Sequence, residues 1–157
     1  MKKTFIRCLL FLPLLAFLGA CATDEIAPTN PQVLAKLQTI DHTQKATMVI
    51  YRPENAIGRG KHPTVMLDGK DFVDMANGQV FVTAINPGSY VLEMDDKKSG
   101  TQVTLKPGDE VFLKIEMQQG TWSFSGKMTQ VMPQQGNYEA TRLELVDPSS
   151  INLPAYR

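Results

Sequence analysis

Side chains able to do chemistry are few in this chain and widely spaced. There are two cysteines, Cys8 and Cys21, and two histidines, His42 and His62, in segments that read as loops. A zinc site needs three or four ligands, normally including a closely spaced pair, and neither residue type supplies one. The adjacent carboxylates Asp95-Asp96 and Asp109-Glu110 sit beside turn residues, where solvated charges are expected. Neighbours on a strand point to opposite faces, so neither pair is arranged to work on one glycosidic bond. Asp68-Gly69-Lys70-Asp71 lacks the further ligands of a calcium loop. No Gly-x-Ser-x-Gly elbow, phosphate-binding loop or dinucleotide fingerprint occurs. Methionines 48, 66, 75, 94 and 117 are scattered among strands, which suits core filling better than thioether ligation of copper. The expectation is no catalytic residue, no metal and no cofactor.

One loop stands apart from this inventory. Ile57-Gly58-Arg59-Gly60-Lys61-His62-Pro63 is basic and glycine-bearing, and it follows Arg52-Pro53. Arg52, Arg59, Lys61 and His62 are the candidate site for an anionic group on a partner, such as a glycan carboxylate or a lipid phosphate. A solvated loop between strands is the structural alternative.

The other reactive position is Cys21. Lys2, Lys3 and Arg7 precede an eleven-residue apolar run, Cys8 to Leu18, broken only by Pro13. That is the charged and apolar sequence of a secretory signal, and it is too short to span a hydrocarbon core. It ends in Leu18-Gly19-Ala20-Cys21, which resembles the bacterial lipobox. The resemblance implies cleavage between Ala20 and Cys21 and acylation of the cysteine. One acyl chain holds a protein only marginally, whereas two or three hold it effectively permanently. Ala22 follows the cysteine, where an Asp would favour inner-membrane retention, so an outer-membrane anchor facing the periplasm is the favoured expectation.

Removing residues 1–20 takes away three basic residues and no acid, leaving 13 basic against 16 acidic, a net charge of −3. That balance offers no footprint for nucleic acid, which needs clustered Lys and Arg. About 137 residues remain, enough for one domain that folds without a disulfide.

These residues must be positioned by the elements that follow. Residues 21–32 are polar and proline-bearing and read as a lipidated tether. Pro31 to Ile40 places Val33, Leu34, Leu37 and Ile40 at helical spacing; the helix either caps the core or faces a membrane or partner. From Lys45 the pattern becomes strands separated by Asp68-Gly69, Asn77-Gly78, Asn86-Pro87-Gly88 and Lys106-Pro107-Gly108, read as turns of an antiparallel meander. Gln79 to Ile85 is apolar on both faces, as in a central strand. In the strand from Glu110, Val111, Leu113, Ile115 and Met117 point to a core, and Lys114 and Glu116 to water. Trp122 and Phe124 alternate with small polar residues and are expected to carry much of the core. Residues 138–145 fit either a helix or an edge strand, and 147–157 an irregular tail. The predicted fold is all-β and mainly antiparallel. It is a β-sandwich or small barrel of about seven or eight short strands over residues 33–146, behind a short N-terminal helix.

Val49-Ile50-Tyr51-Arg52-Pro53, then Gly58 and Gly60, Val65-Met66-Leu67-Asp68-Gly69-Lys70, Asn77-Gly78 and Pro87-Gly88-Ser89-Tyr90-Val91-Leu92 form an ordered set of motifs. Over about Ala46 to Ile115 the chain is similar to a set of bacterial lipoproteins, the family of domain of unknown function 2846. The resemblance implies a secreted or lipid-anchored β-rich domain and brings no established activity.

The expected function is a non-enzymatic binding or assembly module, held on the membrane through acylated Cys21, whose partner is an envelope protein or the cell-wall polymer. Two alternatives stand beside it. One is an enzyme or a small-ligand or metal-binding lipoprotein whose pocket is assembled from distant residues. The other is an accessory subunit of an envelope-spanning complex.

Overall fold

The computed structural model describes residues 28–121 and 123–156. The leader, Ala20, Cys21 and most of the expected tether lie outside the described residues, as does Trp122. Among the described residues the chain begins with helix α1 (Pro31–Gln38). Strands β1 (Ala46–Arg52), β2 (Thr64–Leu67), β3 (Lys70–Asp74), β4 (Gln79–Ile85) and β5 (Gly88–Met94) follow. Next come β6 (Gly100–Leu105), β7 (Glu110–Gln119), β8 (Phe124–Val131), helix α2 (Pro133–Ala140) and the short β9 (Glu144–Leu145). They form two sheets, ordered β8-β7-β1-β4-β9 and β3-β2-β5-β6. The expected all-β architecture is present, as a two-sheet sandwich rather than a closed barrel.

Turn chemistry explains the hairpins. Asp68 and Gly69 have φ of 49° and 76°, the paired positive values of a type I′ turn, and join β2 to β3. Gly108 has φ 84°, and the Asp109 amide donates to the Lys106 carbonyl, as in a type II turn. The simple meander, however, is not what forms. Asn77-Gly78, Pro87-Gly88 and Pro107-Gly108 carry the chain from one sheet to the other, so β3 and β4 are not neighbours. Within the larger sheet β1 and β7 pair in parallel, as do β4 and β9. A glycine of positive φ permits a sharp reversal without choosing the next partner; burial of the apolar faces chooses it.

Two apolar layers result. Met48, Ile50, Phe72, Phe81, Leu92 and Leu113 fill the space between the sheets. Phe72 meets Phe81 edge-on at 5.1 Å between ring centroids, a contact that adds about 0.5–1.5 kcal/mol to area burial. The second layer lies on the outer face of the larger sheet, where Val33, Tyr51, Val80, Val82, Phe112 and Ala140 are buried with α1 and α2. Covered on both sides, β1 is buried at all seven positions. The same cover corrects the expected wet face of β7, because Phe112 lies beneath α2. Val80 and Val82 point one way along β4 and Phe81 and Ile85 the other, which accounts for its double apolar character.

The helix before β1 caps a core rather than presenting an apolar face outward. Asn30 accepts from the Gln32 amide at 3.0 Å and Pro31 starts the first turn. Asn30 also donates through its amide to the Thr141 carbonyl and through Nδ2 to the Leu143 carbonyl, tying α1 to the chain after α2. Residues 138–145 contain both of the forms expected for them: the end of α2, then β9. The C-terminal segment is more ordered than its prolines suggested. The Asn152 amide donates to the Phe72 carbonyl, and Tyr156 meets the Phe72 ring at 5.1 Å. The backbone groups on the outer edge of β3 find partners there, as an edge strand requires.

Phe124 corrects another expectation. It pairs with Gln119 at the tip of the β7–β8 hairpin and is 40% exposed, so it does not fill the core. The hairpin projects beyond the region where the sheets overlap.

Candidate functional site

The loop between β1 and β2 is built around a buried cation. Arg52, 1% exposed, is the last residue of β1. Its Nη2 donates to the Gly58 carbonyl at 2.7 Å; its Nη1 donates to the Met75 carbonyl at 3.0 Å and to the Lys61 carbonyl. Burial pushes the guanidinium below arginine's usual value, but a group that starts so high stays charged. The sequence grouped Arg52 with the ligand-facing cations. Instead it points into the protein, because three inward-turned carbonyls need donors and a planar guanidinium can serve them together.

Gly58 completes the loop. Its φ is +68°, and a Cβ there would stand 2.9 Å from Met117 Cβ on β7. Only glycine lets the backbone lie this close to the strand. Arg59, by contrast, turns outward to an exposed ion pair with Glu54 at 3.1 Å. Lys61 and His62 are left at the end of the loop, just before β2.

Strand pairing brings the opposite charge to them. Thr64 opens β2 and Met94 closes β5; the two strands are antiparallel, with Val65 opposite Met94. One step beyond, the Asp95 amide donates to the Thr64 carbonyl at 3.0 Å. Asp95 and Asp96 therefore emerge beside His62 and Pro63 although about thirty residues separate them in sequence. The β7–β8 hairpin provides the remaining wall. Lys61, His62, Asp95, Asp96, Met117 and Phe124 surround an open cleft of about 560 Å³. That volume lies within the range of about 300–1,000 Å³ typical of ligand sites. The Lys61 ammonium lies 6.0 Å from the centroid of the Phe124 ring, at the outer limit of a cation–π contact.

Of the four residues proposed from sequence, Lys61 and His62 line the cleft, whereas Arg52 clamps the loop and Arg59 faces away. Their sequence context marks Asp95 and Asp96 as solvated turn residues and Phe124 as core, and the structure places all three on the cleft. Residue spacing held no sign of their convergence, which depends on the β2–β5 register and on the hairpin's overreach.

A second polar group lies under α2. Tyr51 donates from its hydroxyl to Glu139 at 2.9 Å, and Lys114 reaches Glu139 at 3.0 Å and Glu116 at 3.4 Å. Burial, and then the hydrogen bond to Glu139, raise the Tyr51 phenol far above its ordinary value. Burial pushes Glu139 up, but hydrogen bonds from Gln135, Lys114 and Tyr51 outweigh it and leave the carboxyl below its usual range. Lys114 is pushed down by burial and, more strongly, up by Glu139 and Glu116. The cluster fastens a helix to a sheet. His42 is exposed and lies near Thr47, with 3.5 Å between Nδ1 and the hydroxyl; it is not brought to His62.

The chain thus carries a two-sheet sandwich with a helical outer cover and a cleft of mixed charge at one end. Residues 42–128 match the model of the family described as protein of unknown function (DUF2846), and the chain belongs to that family. The match takes in both the clamped loop and every residue named above as lining the cleft. No curated protein and no solved structure matches the chain.

Proposed function

We propose that this protein is a lipid-anchored component of a bacterial envelope that binds a partner through the cleft end of its sandwich without transforming it. The observation that carries the reading is the cleft itself: an open concavity lined by apolar side chains and by charged groups of both signs. A surface of that composition recognises more readily than it reacts, since a hydrolytic site would need a nucleophile held by a base. Among the described residues no hydrogen bond joins His62 to Ser123 or Ser125.

The anchor is proposed from the sequence around Cys21. Among the described residues no helix is long and apolar enough to cross a membrane. Cys21 to Asn30 extends about 33 Å at most, which keeps the sandwich near the bilayer surface. The outer membrane, facing the periplasm, is the proposed location, and an envelope protein or the cell-wall polymer the proposed partner. An accessory role in a larger envelope complex is one form of the same reading. A ligand-carrying or enzymatic role is the competing one, favoured by the size of the cleft.

The test has two arms. Labelled fatty acid should enter the wild-type chain and not Cys21→Ser, and the variant should move from the particulate to the soluble fraction. In-cell crosslinking from position 61 or 124 should then capture one reproducible envelope component. Equal partition of wild type and Cys21→Ser between the fractions would remove the anchor, and repeated absence of a crosslinked component would remove the binding role.

A further inference from the structure

We propose that the cleft takes a short zwitterionic peptide segment, with its ammonium group against Asp95 and Asp96 and its carboxylate against Lys61 and His62. The inference rests on the binding reading above and specifies its ligand.

The polar side chains of the cleft are not consumed by ion pairs among the described residues. Among the described residues the ion pairs are Arg59 with Glu54 and Lys114 with Glu116 and Glu139. None of Lys61, His62, Asp95 or Asp96 belongs to one, although all four line the same concavity. Asp96 is the most telling of them. Its Oδ1 accepts from the Lys98 amide at 3.0 Å, and its Oδ2, a buried atom, has no hydrogen-bond partner among the described residues. A carboxylate oxygen in that position is costly until it receives a hydrogen bond, and an ammonium group is the donor that suits it best.

The combination excludes simpler ligands. A lone anion drawn to Lys61 and His62 would meet two carboxylates in the same cleft. A lone metal ion would find too few ligands, since no group of three His, Cys, Asp or Glu side chains converges among the described residues. A ligand bearing both charges satisfies both walls. Pro63, Met117 and Phe124 line the same cleft and offer apolar contact, which a peptide meets through its side chains. The walls are also pre-organised: Arg52 holds the Lys61 carbonyl, and the Thr64–Asp95 hydrogen bond holds the acidic turn beside it.

Such a peptide has two sources in an envelope, the cell-wall stem peptide and a segment of a protein. Calorimetric titration of the full chain in detergent micelles separates them. The probes are stem peptides released from purified cell wall and the linear peptide Ala-Glu-Lys-Ala of L-residues. Each is used intact, with its amines acetylated, and with its carboxyls methylated. At least one intact probe should bind, and each blocked form should bind at least tenfold more weakly. The double variant D95N/D96N should lose at least tenfold toward the intact probe and nothing further toward the acetylated one. K61Q should show the same pattern with the methylated probe. Preference for one probe identifies the source.

Failure of both intact probes at millimolar concentration, blocked forms as tight as intact ones, or variants without effect would overturn the assignment. So would equally variant-sensitive binding to vesicles of a zwitterionic phospholipid. A partner crosslinked equally by wild type and by D95N/D96N and K61Q would remove this assignment and leave the binding reading standing. Unchanged urea midpoints in the variants show that they fold.

Discussion

Nη2 of Arg52 donates to the carbonyl of Gly58 at 2.7 Å, so the last residue of β1 holds the backbone of the loop that follows it. Replacing Arg52 with Met would keep much of its apolar bulk and leave three carbonyls without their donor. Each buried group left unsatisfied costs about 1–3 kcal/mol, partly recovered where the loop can reach water. Urea unfolding should show R52M destabilised by about 3 kcal/mol. A change below about 0.5 kcal/mol, the usual scatter of surface substitutions, would mean that the guanidinium does not organise the loop.

The two glycines of the same loop should respond differently. Gly58 has positive φ and lies on Met117, whereas a Cβ at Gly60 would meet nothing within 4 Å. Gly58→Ala should cost about 1–3 kcal/mol through backbone strain and displacement of the loop. Gly60→Ala should be neutral or slightly stabilising, by up to about 1 kcal/mol, because it restricts the unfolded chain. Equal midpoints for the two variants in thermal unfolding would refute the close approach at Gly58.

Gly136 reverses a general rule. A glycine within a helix is ordinarily improved by Ala, by about 1 kcal/mol. Here a Cβ would lie 2.3 Å from Phe112 Cγ, so α2 would have to lift from the sheet. Gly136→Ala should therefore destabilise the protein, and the amides of β7 should exchange with solvent faster. An increase in melting temperature would show that α2 does not pack on Phe112 in this way.

The cluster under α2 sets the pH dependence of stability. Glu139 is held below its ordinary range, so its contribution is present at neutral pH and is lost as pH falls through its folded value. Lys114 and Tyr51 are raised; their contributions hold below their ordinary values and are lost as pH rises through the folded ones. Glu139→Gln should flatten the acid limb of the stability profile and advance the loss on the alkaline side. Unfolding midpoints from pH 3 to 12 that run parallel in wild type and variant would sink this account.

Much of the architecture could be read from residue order. Asp68-Gly69 marks a hairpin because its backbone angles are nearly obligatory, and the alternation of Val111, Leu113 and Ile115 marks a strand because side chains alternate across a pleat. The same local rules misread Phe124 as core by alternation alone; it sits at an exposed hairpin tip. They also misread Arg52 as a ligand-facing cation, because no sequence pattern tells which carbonyls a guanidinium will meet.

Residue order by itself determined the turns, the strand periods and the family, all of which depend on groups within a few bonds or one motif. Tertiary structure alone decided that Asp95 and Asp96 share one cleft with Lys61 and His62. Their meeting follows from which strands pair and in what register. Pairing is decided by the apolar faces of the whole chain buried at once, and no single segment carries that information.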